Sequence, residues 1–290
     1  IYRPSINDYT TPLKRKKINK LDNIIKKKES TFDGKNFIFL NKSQSFSEIN
    51  WNGRNTSVSK LWRYNQHYFD YLNEINSSQY LKFHTEILEN WVRENKDFKG
   101  VGWEPYPTSL RIVNWVKWEL SDNNLSKVCL QSLAVQARML NKRIEWHILG
   151  NHLFSNAKAL VFAGLFFFDE ESKNWLNKGL RIINDQIDEQ VLDDGGNFEL
   201  TPMYHAMFLE DIFDLINISQ VYKGAIQDNF VNKWKDISKK MLSWLETMTH
   251  ADNEISFFND AAIGIAANFK ELNEYAERLN VKYRNNKFNK

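Results

Sequence analysis

The chain has 290 residues, a formal charge of +3, and 10 Trp, 11 Tyr and 20 Phe, so that 14% of it is aromatic. That length can bury a large core; the aromatic content speaks against disorder and supplies flat faces on which sugars or bases stack; the charge is too small to indicate a nucleic-acid partner. Cys129 is the only cysteine, which excludes an intrachain disulfide, and the most apolar run, near Ala159, is about half the length of a bilayer crossing, so no membrane partner is expected.

The sequence opens Ile1-Tyr2-Arg3 without an initiator methionine or a charged-then-apolar leader, so processing or truncation is expected to have removed what came before. Lys14 to Lys17, Lys20 and Lys26 to Lys28, with Arg15 among them, interleave with Leu13, Ile18, Leu21, Ile24 and Ile25. This pattern predicts a solvated amphipathic helix in preference to a polyanion-binding arm. Two short extended pieces follow, at 36–40 and 47–51. From Trp62 onward helical periodicity dominates, over 62–75, 81–95, 108–120, 125–146, 151–168, 170–191, 202–222, 229–248 and 269–279. Two longer loops, 98–107 and 192–201, are rich in turn residues. Strands are nearly absent after Trp51, and no GxGxxG, P-loop or HExxH pattern occurs, which excludes a parallel nucleotide-binding sheet. Consecutive helices on short connections pack as antiparallel hairpins. No fixed-period repeat of an open solenoid is present, so a closed toroid of α/α hairpins with a deep cleft fits better. The expected organisation is an N-terminal basic helix with extended segments over 1–58, a helical domain over 59–268, and a linker from 269 to 290.

Four stretches carry more than a helical core requires. WRYNQHYFDYL, from Trp62 to Leu72, holds His67 among five aromatic residues. WEPYPTSLRIVNW, from Trp103 to Trp115, places Arg111 early in a helix, where the dipole disfavours it and a partner or an anionic ligand is expected. GNHLFSNAKAL, from Gly150 to Leu160, runs from an Asn-His pair into the most apolar segment of the chain. Asn151, Ser155 and Lys158 there share a helical face that can line a cavity, although this stretch taken alone favours Asn151 as a helix N-cap. DGGNFELTPMYHAMFLED, from Asp194 to Asp211, leads a glycine-rich loop through Pro202 into Tyr204 and His205. His147 and His152 do not share a helix face, so no metal site is expected. A carboxylate pair for glycoside hydrolysis can be drawn from Asp193, Asp194, Glu199 and Glu104.

Together these four motifs, in this order, resemble the N-terminal helical domain of the heparinase II/III-like polysaccharide lyases, a group that includes related alginate lyases. The resemblance runs from about Phe37 to about Gly264, where FFNDAAIGIA is similar to the family's exit from the helical domain. It implies an all-α incomplete α/α toroid followed by an antiparallel β-sandwich, with most or all of the sandwich missing from this chain. It implies β-elimination on a uronic acid, with an acidic polysaccharide as substrate, no cofactor, and a periplasmic or secreted location.

By resemblance Asn151 neutralises the substrate carboxylate, an oxyanion-hole role. His152 assists it or acts as base on one sugar epimer, and Tyr204 delivers a proton to the leaving oxygen and, in syn elimination, also removes the C5 proton. The base role requires a lowered tyrosine pKa, for which Arg111 and His205 are candidates. Tyr64, His67, Trp103, Tyr106, Arg111, Ser155, Glu199 and His205 are expected to line substrate subsites. Ser155 stands where relatives can carry a charge, and a further histidine of the family comes from the β-sandwich. Two alternatives stay open: a non-catalytic carbohydrate-binding or assembly protein on the same fold, and an α/α-toroid glycoside hydrolase using Glu199 with an Asp of the DDGG loop.

Overall fold

The fold was analysed in a computed structural model, which describes residues 6, 8–32, 36–45, 50–51, 58–257 and 259–283. The strands are β1 (Leu13–Lys14), β2 (Thr31–Phe32), β3 (Asn36–Phe39), β4 (Lys42–Ser45) and β5 (Phe167–Phe168). The helices are α1 (Lys60–Tyr68), α2 (Leu81–Glu94), α3 (Pro105–Leu120), α4 (Lys127–Asn141), α5 (Gly150–Phe166), α6 (Glu170–Gln190), α7 (Pro202–Val221), α8 (Asp228–Thr247) and α9 (Phe269–Arg278). The chain divides into two compact units, one of Ile1–Lys14, Lys26–His147 and Ala159–Leu176, the other of Arg15–Ile25, Ile148–Lys158 and Asn177–Lys290.

In the first unit, β2, β3 and β4 form an antiparallel sheet whose inner face presents Phe37 and Phe39 while Ile38 points outward, the period-two alternation of a half-buried strand. Helices α1, α2, α3 and α4 pack around an aromatic core of Phe69, Trp91 and Trp115. Helix α1 stops short of its predicted end because Phe69 takes a left-handed conformation (φ 62°). That conformation is disfavoured for a bulky residue. Stacking on Trp51 and edge contacts with Trp91 and Trp115 hold it there, and the following residues continue as a 3₁₀ turn.

The second unit is built on α7, α8 and α9, with the first turns of α5 and the later turns of α6. Asn268 and Glu271 form a capping box that starts α9, as its sequence pattern allows. Inside this unit Lys158 of α5 forms ion pairs with Asp211 and Asp214 of α7, each at 2.5 Å. Tyr275 of α9 donates to Asp214 and accepts from Asn217, which also bonds the backbone at Asp22. Burial opposes the Lys158 charge, yet the two carboxylates more than offset this and hold its pKa above the usual lysine value.

One expectation is corrected. The basic segment around Lys14–Lys28 contains no helix. Its backbone groups are satisfied by other elements: Leu13 and Lys14 pair with β5, the Ile18 and Asn19 amides donate to Val221, and Lys27 exchanges bonds with Asn73 and Ile75. Ile24 and Ile25 are buried, so the apolar residues serve an extended strap at helix-like spacing. Tertiary pairing overrides local periodicity there. The extended piece predicted at 47–51 lies mostly outside the described residues.

Replacing Lys158 by Met leaves Asp211 and Asp214 without their cation. Urea unfolding of Lys158→Met is expected to show a loss of about 3–5 kcal/mol; an unchanged midpoint at unchanged slope would contradict the stabilising role.

Candidate active site

Helix α5 opens through two left-handed residues, Leu149 (φ 61°) and Gly150 (φ 53°), and the Leu153 amide closes the first turn on the Leu149 carbonyl. Asn151 therefore lies inside the first turn and does not cap it. Two contacts fix the register of α5 against α7 in the second unit. Lys158 meets Asp211, and one turn nearer the N-termini Phe154 packs on Phe208 with ring centroids 4.2 Å apart. The partners advance together along both helices, so α5 and α7 run in the same direction. Asn151 precedes Lys158 by seven residues and Tyr204 precedes Asp211 by seven, about two turns in each helix. The two side chains thus start from the same level, at the N-terminal ends of adjacent helices. His152 is half-exposed beside Asn151, whereas Ser155 and Lys158 are buried below. Lys158 is committed to its ion pairs and does not line an open cavity.

The DGGN loop is clamped beside this end. A Cβ on Gly195 (φ 92°) would lie 2.6 Å from the Lys240 backbone, and one on Gly196 would lie 2.8 Å from the Trp244 indole nitrogen. Only glycines let the loop lie this close to α8. Asp194 accepts from the Gly196 amide, and the Asn197 side chain accepts from the Glu199 amide. Glu199 is thereby delivered to the start of α5, where its Oε1 is 3.4 Å from the position a Cβ on Gly150 would take. The segment 259–262 packs over the same end: the Asn259 side chain donates to the Leu200 carbonyl, Thr201 donates to the Asp260 carbonyl, and the Ala262 amide meets Met203 sulfur. Burial and then the charge of Asp260 raise the Glu199 pKa. Burial, Asp260 and Glu199, in that order, raise that of Tyr204. Tyr204 is accordingly a neutral phenol facing two carboxylates.

The expected tuning of Tyr204 by cations is not what the structure contains. His205 is fully buried and stacked on Trp244 at 4.4 Å; its Nδ1 accepts the Asn197 amide and its Nε2 bonds the Met241 carbonyl. Burial depresses its pKa to about 4, so it is a neutral link between α7, the loop and α8. Arg111 belongs to the first unit, where it is fully buried. It stacks on Trp91 at 3.9 Å and donates to Gln136, the His67 carbonyl and Thr108. The partner its helical position calls for is therefore internal.

His67 and Trp103 are corrected in the same way. His67 Nδ1 accepts from the Trp91 indole and its Nε2 bonds the Trp51 carbonyl, while the Trp103 indole donates to the Asn95 carbonyl. Both are core residues without a face for substrate. Tyr64 and Tyr106 remain half-exposed in that unit. The Tyr64 hydroxyl donates to Glu104, which also pairs with Lys60 at 2.9 Å, and burial with the Glu104 charge pushes the Tyr64 pKa up to about 12. Among the described residues no cluster of His, Cys, Asp and Glu could hold a metal ion.

The Heparinase II/III N-terminus family model matches residues 2–286. The chain belongs to the heparinase II/III family. A heparin-sulfate lyase of Bacteroides stercoris is 32% identical over 124 residues, which is 42% of this chain and 18% of that protein. Another, from Bacteroides thetaiotaomicron, is 21% identical over 199 residues, 63% of this chain and 28% of that one. The crystal structure of heparinase III superposes with a TM-score of 0.57 at 19% identity, over 81% of this chain and 40% of the other. That likeness bears out the all-α fold class of the heparinase II/III helical toroid. The chain spans less than half the length of each of these relatives.

Asp260 is the site residue that sequence reasoning missed. It sits in FFNDAAIGIA, which the resemblance treats only as an exit from the helical domain; an Asn-Asp pair after an apolar run was the available signal.

Three buried histidines make the fold acid-sensitive. Burial, joined for His67 by the Arg111 charge, depresses His67 to about 3, and burial depresses His84 and His205 to about 4. In the unfolded chain a histidine takes a proton near pH 6.5, so that state gains protons first and stability falls with pH from about 6.5 toward the folded values. At pH 5 the loss is on the order of 2 kcal/mol apiece. Unfolding free energy measured between pH 7.5 and 5 should decline steeply; a flat profile would contradict neutral burial.

Proposed function

We propose that this chain supplies the helical half of a lyase that cleaves a uronic-acid-containing polysaccharide by β-elimination. The observation that carries the reading is the paired register of α5 and α7, with Asn151 and Tyr204 at one level and Glu199 beside the start of α5. The curated relatives' name, heparin-sulfate lyase, supports a sulfated uronate polymer as the substrate class.

In this mechanism the Asn151 amide, in the half-buried first turn of α5, donates to the uronate carboxylate and stabilises the enolate-like charge that grows as C5 loses its proton. His152, on the same turn, takes that proton. The C5–H electron pair becomes the C4–C5 double bond, the C4–O bond breaks, and Tyr204 transfers its phenolic proton to the departing oxygen. A tyrosine kept neutral by burial and by neighbouring carboxylates suits the acid role better than the base role. Ser155 lies buried beneath the first turn of α5. A C-terminal β-sandwich domain is the proposed partner that completes the cleft.

One observation favours a second reading. The carboxyl of Glu199, raised by burial and Asp260, has the property of a general acid in glycoside hydrolysis. The products separate the two. Elimination creates an unsaturated uronate that absorbs in the near ultraviolet, and hydrolysis does not.

With the natural full-length protein and a panel of uronate polysaccharides, absorbance should rise with time. Tyr204→Phe should lower the rate by about 10²–10⁴-fold, and Asn151→Ala by about 10²–10³-fold. Cleavage without absorbance would transfer the assignment to hydrolysis. Asp260→Asn removes a charge that opposes tyrosine ionisation, so the alkaline limb of the kcat profile should move to lower pH. A limb unchanged by that substitution would remove Tyr204 as the titrating acid.

A further inference from the structure

The second unit contains a cavity of about 340 Å³ between α6 and the turn that leads into α8. It lies beyond the C-terminal end of α7, whereas Tyr204 lies in the first turn of that helix, roughly 25 Å away at about 1.5 Å per residue. It is therefore separate from the candidate active site. Its volume falls in the range of small-molecule pockets, roughly 300–1,000 Å³.

The lining has the chemistry of a sugar site. Leu180 and Ile226 are buried and give it an apolar floor. Asn177, Arg181, Asn184 and Asp185 line one face of α6 at helical spacing, and Gln227 and Phe230 contribute from the turn and the start of α8. Planar amide, carboxylate and guanidinium groups match the alternating donors and acceptors of adjacent sugar hydroxyls. The Phe230 ring is half-exposed, leaving a face on which the C–H side of a pyranose can pack.

One polar member, Asn184, is held in place. The Lys233 ammonium donates to the Asn184 amide oxygen at 2.7 Å and is itself tied to Asp188 at 2.6 Å, which turns the Asn184 –NH₂ toward other acceptors. Arg181 is exposed and has no ion-pair partner among the described residues. Lys178, on the adjoining row, has its pKa lowered by burial and then by the nearness of the Arg181 charge.

We propose that this cavity is a second, non-catalytic saccharide site that binds a uronate-bearing sugar residue, with the carboxylate on Arg181 and the ring on Phe230. It rests on the lyase reading only for the choice of polymer. It would hold a stretch of chain away from the reacting bond and so lower the KM for long polymers without changing the chemical step.

The test uses ¹⁵N-labelled Tyr204→Phe protein, so that no turnover intervenes, titrated with an unsulfated glucuronate-containing tetrasaccharide, its neutral glucose counterpart, and inorganic sulfate. The side-chain amide signals of Asn177, Asn184 and Gln227 should shift with the uronate tetrasaccharide and move little with the other two. Arg181→Ala or Phe230→Ala, in the same background, should weaken that binding at least tenfold, and Arg181→Lys should restore part of it. Absence of shifts at these amides, equal response to the neutral tetrasaccharide or to sulfate alone, or affinity indifferent to Arg181 would each overturn the proposal. Because the shifts report binding at α6 and the start of α8 alone, a failure of the elimination mechanism leaves this test intact, and the reverse also holds.

Discussion

A lysine charge buried inside the second unit constrains everything built above it. Taking the Lys158 ammonium out of water is costly unless carboxylates meet it, and the two that do, Asp211 and Asp214, sit on successive positions of one face of α7. Apolar packing alone would tolerate a slip of one turn between α5 and α7. The ion pairs do not, because a slip strands a charge, and Tyr275 and Asn217 extend the same penalty to α9 and the strap at Asp22. The register set there, reinforced by Phe154 on Phe208, propagates two turns upward to Asn151 and Tyr204.

The same end of the unit shows how a loop is made into a scaffold. Gly195 and Gly196 allow backbone contact with α8, and His205, buried and neutral, ties the Asn197 amide to the Met241 carbonyl. Glu199 thus projects from a loop without free travel of its own. The segment at Asn259 and Asp260 closes over it, so that carboxylates converge on the tyrosine. Burial together with that charge holds the phenol protonated, and in the elimination proposed above the neutralisation of a substrate carboxylate would fall to the uncharged donors at the start of α5.

Helix positions could be read from the sequence because they rest on local signals. Asn268 with Glu271 caps α9, prolines open α3 and α7, and a fully apolar run from Ala159 fills the second half of α5. The N-terminal strap could not, since its apolar residues fall at helical spacing while its backbone partners, Val221, Asn73 and β5, are distant in sequence. The candidate site divides along the same line. Asn151, His152 and Tyr204 stand in the first turns of helices, where polar residues are conspicuous. Arg111, His67 and Trp103 carry the same chemistry in sequence but satisfy one another in an aromatic core, and only burial tells such residues from ligands. Asp260 joins the site through a contact across 59 residues of sequence, which no local pattern encodes.

The central claim is that Asn151 and Tyr204 address one sugar ring. The measurement that tests it most directly is a crystal structure of the natural full-length Tyr204→Phe protein with a uronate oligosaccharide bound. The account predicts a uronate carboxylate within hydrogen-bond distance of the Asn151 amide, with the bridging O4 of the same ring against the edge of the residue at position 204. A saccharide bound at that end of α5 and α7 with its carboxylate turned away from Asn151, or with no glycosidic oxygen near position 204, would contradict it.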